Sequence, residues 1–321
     1  MLFLNRKVGP ESLLPNGAMP AAAFSWEADS YRPSEAMLLD PPVASDRRLC
    51  GSMECTATRV SPWRNRKRPV FEDQWGCSGR CVLSMVRAAV RREMSGDLES
   101  APPRHNHRLP LGLLMLAQGW ISHAQLQQAL AAQRLHGGRI GDWLVAECRI
   151  DPERVTRGLS LQWSCPVLTP RGFTPAAMAM VAPKILIEEF GFVPLRVAGS
   201  KLLYLGFEDR LDASAALALE QMTELKVESG LLATEQYREV RAELLAQEGA
   251  PVALELIREP DALAARITAL LEQKQPVGSR LVRMHKYLWL RLWLESASRA
   301  KKGTRPRDTS DMLDYVFTVG R

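Results

Sequence analysis

No run of about 18 apolar residues occurs in the chain, so no membrane-spanning helix is expected. Met1-Leu2-Phe3-Leu4 is too short for a signal-peptide core, and Asn5-Arg6-Lys7 follows at once, which points to a cytoplasmic protein. A Gly-x4-Gly-Lys-Ser/Thr run is also missing. Gly199-Ser200-Lys201 and Gly278-Ser279-Arg280 lack the second glycine, and in Lys301-Lys302-Gly303-Thr304 the glycine follows the lysines. None of these can build the backbone cradle that holds nucleotide phosphates, so P-loop hydrolysis of ATP is excluded. Histidine is sparse at five residues, and His105 and His107 fall in a proline-rich stretch where solvated imidazoles are expected rather than metal ligands. The chain reads as non-enzymatic.

What is present is enough for two or three small domains: 321 residues, 46% hydrophobic, with a net charge of +6 that suits an anionic partner. Residues 1–45 are rich in Pro, Ala, Ser and Gly without a sustained period, and are read as a disordered extension. Residues 96–107, with Ala101-Pro102-Pro103, read as a linker.

The most informative feature is a duplication. Pro110–Gln133 and Arg139–Gln162 carry one 24-residue pattern twice, separated by five residues. At an offset of 29, Leu111 meets Ile140, Gly112 meets Gly141, and Met115 meets Leu144. Leu126 meets Val155, Leu130 meets Leu159, and Gln133 meets Gln162. A period near 30 with matched apolar positions marks repeated supersecondary units. Each copy predicts two short helices, the second capped by Ser122 or Asp151, whose side-chain oxygen can accept from first-turn amides.

This pattern, Arg-Leu-Gly-x2-Leu-x3-Gly-x6-Leu-x3-Leu-x2-Gln written twice, resembles the MshEN domain of type II secretion and type IV pilus ATPases of the GspE and PilB type. The resemblance implies cyclic di-GMP binding, with a site drawn from both copies. From the second copy it implies Arg139, Ile140, Gly141, Leu144, Val155, Leu159 and Gln162. From the first it implies Leu111, Gly112, Met115, Gly119, Leu126, Leu130 and Gln133, with Arg108 substituting for the leading Arg that is Pro110 here. The mid-motif glycine of the second copy is Cys148, which matters where that glycine takes a positive φ. The ligand is itself two-fold symmetric, so two equivalent units can each hold one half. An Arg fork can bond O6 and N7 of guanine, Gly112 and Gly141 would admit the backbone, and the apolar positions would pack on the bases. The other reading keeps these residues as a helical core without the ligand.

The resemblance extends over Pro183–Leu245, where a small sheet packs with helices. Phe192–Val197 and Leu202–Phe207 read as a hairpin, Asp212–Met222 as a helix, Lys226–Leu232 as a strand, and Thr234 as the cap of a helix to Leu245. Asp209 and Asp212 are expected to be turn and cap residues without chemistry. The family's ATPase motor has no counterpart in this chain.

Four of the six cysteines lie within residues 50–81: Cys50-x4-Cys55 and Cys77-x3-Cys81. The second pair precedes Val82–Glu93, which has helical spacing. Two cysteine pairs around a basic segment resemble a treble-clef zinc finger of the FCS or TRASH type. Such thiolates can close a tetrahedral structural zinc site, and a reducing compartment disfavours the disulfide alternative. Cys148 and Cys165 are expected to be small buried side chains. Arg59, Arg64, Arg66, Lys67 and Arg68 surround Trp63, a pattern that fits either a solvated charge run or nucleic-acid contact.

Asp261–Gln273 has helical periodicity. Arg280–His285 and Tyr287–Leu294 alternate as strands do, with Trp289 and Trp293 marking either a core or a docking face. Asp308–Phe317 is read as a short helix. The expectation is an α+β protein: an extension (1–45), a zinc finger (46–95), a linker (96–107), a tandem helical repeat followed by a small mixed α/β subdomain (108–248), and a C-terminal α+β segment (249–321). Its expected role is cyclic di-GMP-dependent regulation, through a protein partner of a secretion, pilus or envelope system. The alternatives are a docking adaptor that has lost the nucleotide, and a nucleic-acid-binding protein acting through the finger.

Overall fold

The computed structural model describes residues 50–56, 69–95, 109–199, 201–294 and 311–319. Arg108, the basic segment around Trp63, the 96–107 linker and the 1–45 extension lie outside the described residues. The described fold is α+β, with ten helices and three small sheets. No helix among the described residues is long and apolar enough to cross a membrane.

A short antiparallel ribbon, β1 (Val70–Phe71) and β2 (Gln74–Trp75), leads into α1 (Gly79–Ser95). Val82, Met85, Val86, Ala89 and Val90 recur at helical spacing and form the buried stripe of α1.

The duplication folds as four helices: α2 (Leu111–Ala117), α3 (His123–His136), α4 (Ile140–Ala146) and α5 (Pro152–Trp163). Ser122 Oγ accepts from the Gln125 amide while Gln125 Oε1 accepts from the Ser122 amide, a complete capping box. Asp151 Oδ1 accepts from the Glu153 amide and Pro152 opens the following helix. Leu111, Met115, Leu126, Leu144, Ile150 and Val155 share one core across both copies. The helices approach so closely that a Cβ on Gly112 would lie 2.5 Å from Leu126 Cδ1, and one on Gly141 would lie 2.9 Å from Val155 Cγ1. Gly119 takes φ +67°, as a turn glycine does. In the second copy the left-handed residue is Arg149 at φ +54°, not Cys148, so the turn there closes one position later.

Next come α6 (Pro175–Met178), α7 (Lys184–Phe190) and a three-stranded sheet ordered β3-β4-β5. β3 (Phe192–Ala198) is antiparallel to β4 (Leu202–Phe207); β4 is parallel to β5 (Lys226–Leu231), reached through α8 (Ala213–Thr223). α9 (Thr234–Ala246) follows, with Ala233 at its N-cap, so Thr234 is the first helical residue rather than the cap.

Asp212 caps α8 by accepting from the Ser214 and Ala215 amides, and its other oxygen lies 2.7 Å from His285 Nε2. Burial alone would push this carboxyl up; the His285 contact and the two amides bring it below its ordinary value of 3.8. The stabilisation is therefore present above about pH 3.8 and lost as pH falls through the lowered folded value. Asp212→Ala should cost about 1 kcal/mol in urea denaturation at pH 7, and much less near pH 2. A pH-independent difference would remove the ionised carboxylate from the account.

The C-terminal sheet is ordered β6-β9-β8-β7. Its members are β6 (Val252–Ile257), β7 (Gly278–Met284), β8 (Tyr287–Trp293) and β9 (Met312–Val319), and α10 (Pro260–Lys274) joins β6 to β7. β9 overturns the helix expected over Asp308–Phe317. It sits between β6 and β8, and this two-sided pairing with strand-favouring Tyr315, Val316 and Phe317 outweighs the local helical spacing. β8 is buried on both faces: Trp289 and Trp293 pack toward the β3-β4-β5 unit, while Leu288, Leu290 and Leu292 join α1 and α10 in a second core. At 0% and 3% exposure, the two tryptophans are core residues and form no docking face. β1 also bonds to the β7 region, where Ser279 Oγ donates to Val70 O at 2.7 Å. Phe71 and the buried stripe of α1 thus share one hydrophobic core with α10 and with Leu281, Leu288, Leu290, Leu292, Tyr315 and Phe317 of the sheet.

Between the strands, Arg291 Nε and Nη2 donate to the two oxygens of Asp314 at 2.8 and 2.7 Å. Trp289 Nε1 donates to Asp314 Oδ1 at 2.8 Å, and Arg291 Nη1 donates to Val181 O at 3.2 Å.

Candidate functional site

The matching ends of the two helical copies are tied to each other. Gln133 Nε2, at the end of the first copy, donates to Gly138 O at the entry of the second, at 2.8 Å. Gln162 Nε2, at the end of the second, donates to Leu109 O at the entry of the first, at 2.9 Å. Leu109 and Gly138 are equivalent positions of the repeat, so the two glutamines close it with pseudo-two-fold symmetry. Trp143 Nε1 further fixes the spacer by donating to Gly137 O at 2.7 Å.

Beside this clasp lies a cavity of about 410 Å³. The second copy lines it with Arg139, Ile140, Gly141, Val155, Leu159 and Gln162, and the first copy contributes Leu111 and Gln133. Of the other residues selected from the sequence, Gly112, Met115, Gly119, Leu126, Leu130 and Leu144 do not line it. Met115 and Leu144 are fully enclosed in the helical core, where they position the helices. The wall opposite the repeat is Glu208, Asp209, Arg210 and Thr234. These follow the carboxyl ends of the parallel strands β4 and β5, where open α/β sheets commonly place ligands.

Sequence reasoning missed Glu208 and treated Asp209 as a turn residue. Arg139 Nη1 lies 2.7 Å from Asp209 Oδ2, Nη2 lies 3.5 Å from Glu208 Oε2, and Nε lies 3.4 Å from Asp142 Oδ2. The Asp209 hydrogen bond raises the Arg139 pKa above its already high ordinary value, aided by the nearby Glu208 and Asp142 charges. Glu208 is also within 3.9 Å of Arg238. The usable signal was the charged triplet Glu208-Asp209-Arg210 placed directly after a strand.

A second cluster is built by the cysteines. The Sγ atoms of Cys50, Cys55, Cys77 and Cys81 all lie within 4.8 Å of one another. Cys55 and Cys77 sulfurs are 3.4 Å apart, and Cys77 and Cys81 sulfurs 3.5 Å. Four sulfurs about 2.3 Å from a tetrahedral zinc would be spaced about 3.8 Å, so the donor set fits that ion in number, type and size. No disulfide joins them. A turn closed by the Cys55 amide on Ser52 O presents the first pair; the start of α1 presents Cys81. Desolvation, with the neighbouring thiols, pushes Cys77 up to about 12, while the Ser78 hydroxyl leads in bringing Cys81 down to about 7. Cys148 and Cys165 are half-buried and lie outside this cluster.

No protein-family model and no curated protein matches the chain. Among solved structures, one of MshE with cdg is similar at 25% identity and a TM-score of 0.37, over 43% of this chain and 99% of that one. Two crystal forms of the N-terminal domain of XpsE are similar at 12% and 14% identity, with TM-scores of 0.32 and 0.25. These cover 42% and 40% of this chain, and 92% and 90% of theirs.

Proposed function

We propose that residues 108–248 bind cyclic di-GMP, and that the chain acts in the cytoplasm as a non-catalytic regulator or adaptor for a secretion, pilus or envelope system. The observation that carries this reading is Arg139, the leading residue of the duplicated motif, standing in a cavity between the apolar side chains of the repeat and three carboxylates. A guanine offers O6 and N7 to a guanidinium fork, and its amino group is a donor suited to a carboxylate such as Asp209 or Asp142. Ile140, Val155, Leu159 and Leu111 supply apolar surface for the base. Binding would exchange the Arg139–Asp209 contact for contacts with the ligand. The four cysteines are assigned a structural zinc.

A titration of the full chain with cyclic di-GMP by calorimetry tests this. Arg139→Ala should weaken binding by about 1–3 kcal/mol, the range for one bidentate guanine contact. Absence of binding to the unaltered chain rejects the ligand; undiminished affinity in the variant rejects Arg139 as its contact. The reading as a docking adaptor without nucleotide is favoured by Pro110, which leaves the first copy without its Arg. It predicts that first outcome.

A further inference from the structure

The C-terminal sheet treats its two edges differently. On the β7 edge, the Glu72 amide donates to Ser279 O at 2.8 Å and the Val70 amide to Pro276 O at 3.1 Å, so the chain covers that edge itself. On the other edge, β6 pairs with β9 along its length without a bulge, and no described strand pairs with its outer side. Pro251 O accepts from the Asp314 amide, so odd-numbered residues direct their backbone groups to β9. Val252, Leu254 and Leu256 therefore turn their N–H and C=O groups outward. The same three side chains are 44%, 55% and 65% exposed. Ala253 and Ile257 pack on the core beneath α10, and Glu255 is held by Arg266 at 2.7 Å. Protected edges carry Lys, Pro or a bulge. Val252–Ile257 has none of these.

We propose that this edge pairs with the β6 of a second copy of the chain, antiparallel, about a two-fold axis at Leu254. The pattern is self-complementary: Leu254 meets its own equivalent, and Val252 meets Leu256 on the same face. Every outward backbone group of these three residues then gains a partner, and the three exposed side chains from each copy form one apolar strip. At each end Arg258 falls opposite Ala250, one diagonal step from Glu248 of the second copy, so opposite charges meet. Such a contact is isologous and closes after two chains, giving one continuous eight-stranded sheet rather than a growing fibre.

Sedimentation of the full chain at micromolar concentration tests the pairing. The unaltered protein should run at twice its 35.8 kDa mass. Leu254→Glu and Leu254→Lys should each run at the single-chain mass, because like charges meet at the axis. An equimolar mixture of the two should return to the doubled mass. Since residue 254 is exposed, both variants should keep the circular dichroism of the parent; Leu256→Glu replaces Leu254→Glu, and Leu256→Lys replaces Leu254→Lys, where one does not. A single-chain mass for the unaltered protein, a dimer untouched by these substitutions, or a mixture that stays dissociated would each overturn the proposal.

Discussion

Asp314→Ala is expected to destabilise the fold by about 3–5 kcal/mol, as breaking one side of a buried ion pair does. Arg291 and Asp314 are each 1% exposed. With the carboxylate gone, the Arg291 guanidinium would stay buried with Val181 O as its remaining described partner, and the Trp289 indole N–H would lose its acceptor. Arg291 stacks over the Trp289 ring at 4.8 Å, and its strand pairs with the inner strand β9. The loss is far smaller when both charges are removed together. Arg291→Met with Asp314→Leu replaces the pair by apolar volume and should recover most of the loss. Urea denaturation of the two variants beside the unaltered chain measures this. An Asp314→Ala midpoint equal to that of the unaltered chain would mean that water reaches the guanidinium and the pair is no lock.

That network explains a limit of reading the sequence. Arg291 and Asp314 are 23 residues apart, and nothing in the local pattern says that they meet. Around Asp314 the apolar spacing suits a helix, and pairing with both β6 and β8, each distant in sequence, makes it a strand. Likewise Arg139 was legible as the leading residue of the repeat, because a duplicated motif exposes its own register. Its acidic partners were not legible, since Glu208 lies 69 residues away and a carboxylate after a strand ordinarily reads as a turn. The helices of the repeat were legible for the opposite reason: period, caps and glycines are all local. The buried stripe of α1 was legible too, but an amphipathic face does not name its partner. Here the partner is α10, reached through the core that also holds the Leu face of β8.

Removing the metal from the cysteine cluster should have the widest effect of any change considered, because of that shared core. Freshly purified, reduced protein should contain about one zinc per chain, held by Cys50, Cys55, Cys77 and Cys81 as a closed four-thiolate shell. In isolated finger peptides such a site contributes roughly 10–16 kcal/mol of binding energy linked to folding. The ribbon β1–β2 has only two residues in each strand and cannot hold its fold by pairing alone. Cys77→Ser, or a strong chelator, should therefore release the zinc and open residues 50–56 and 69–78 to proteolysis. The effect should not stop there. Cys81 lies in the first turn of α1, and the Val82, Val86 and Val90 stripe of that helix packs in the core with Leu263, Ile267 and Leu271 of α10. Hydrogen exchange in α10 should accelerate on metal loss, while amides of α2–α5, which have their own core, should not change. Protein that contains no zinc, or that keeps its protection in α10 after the zinc is gone, would show that the cysteines do not support this part of the fold.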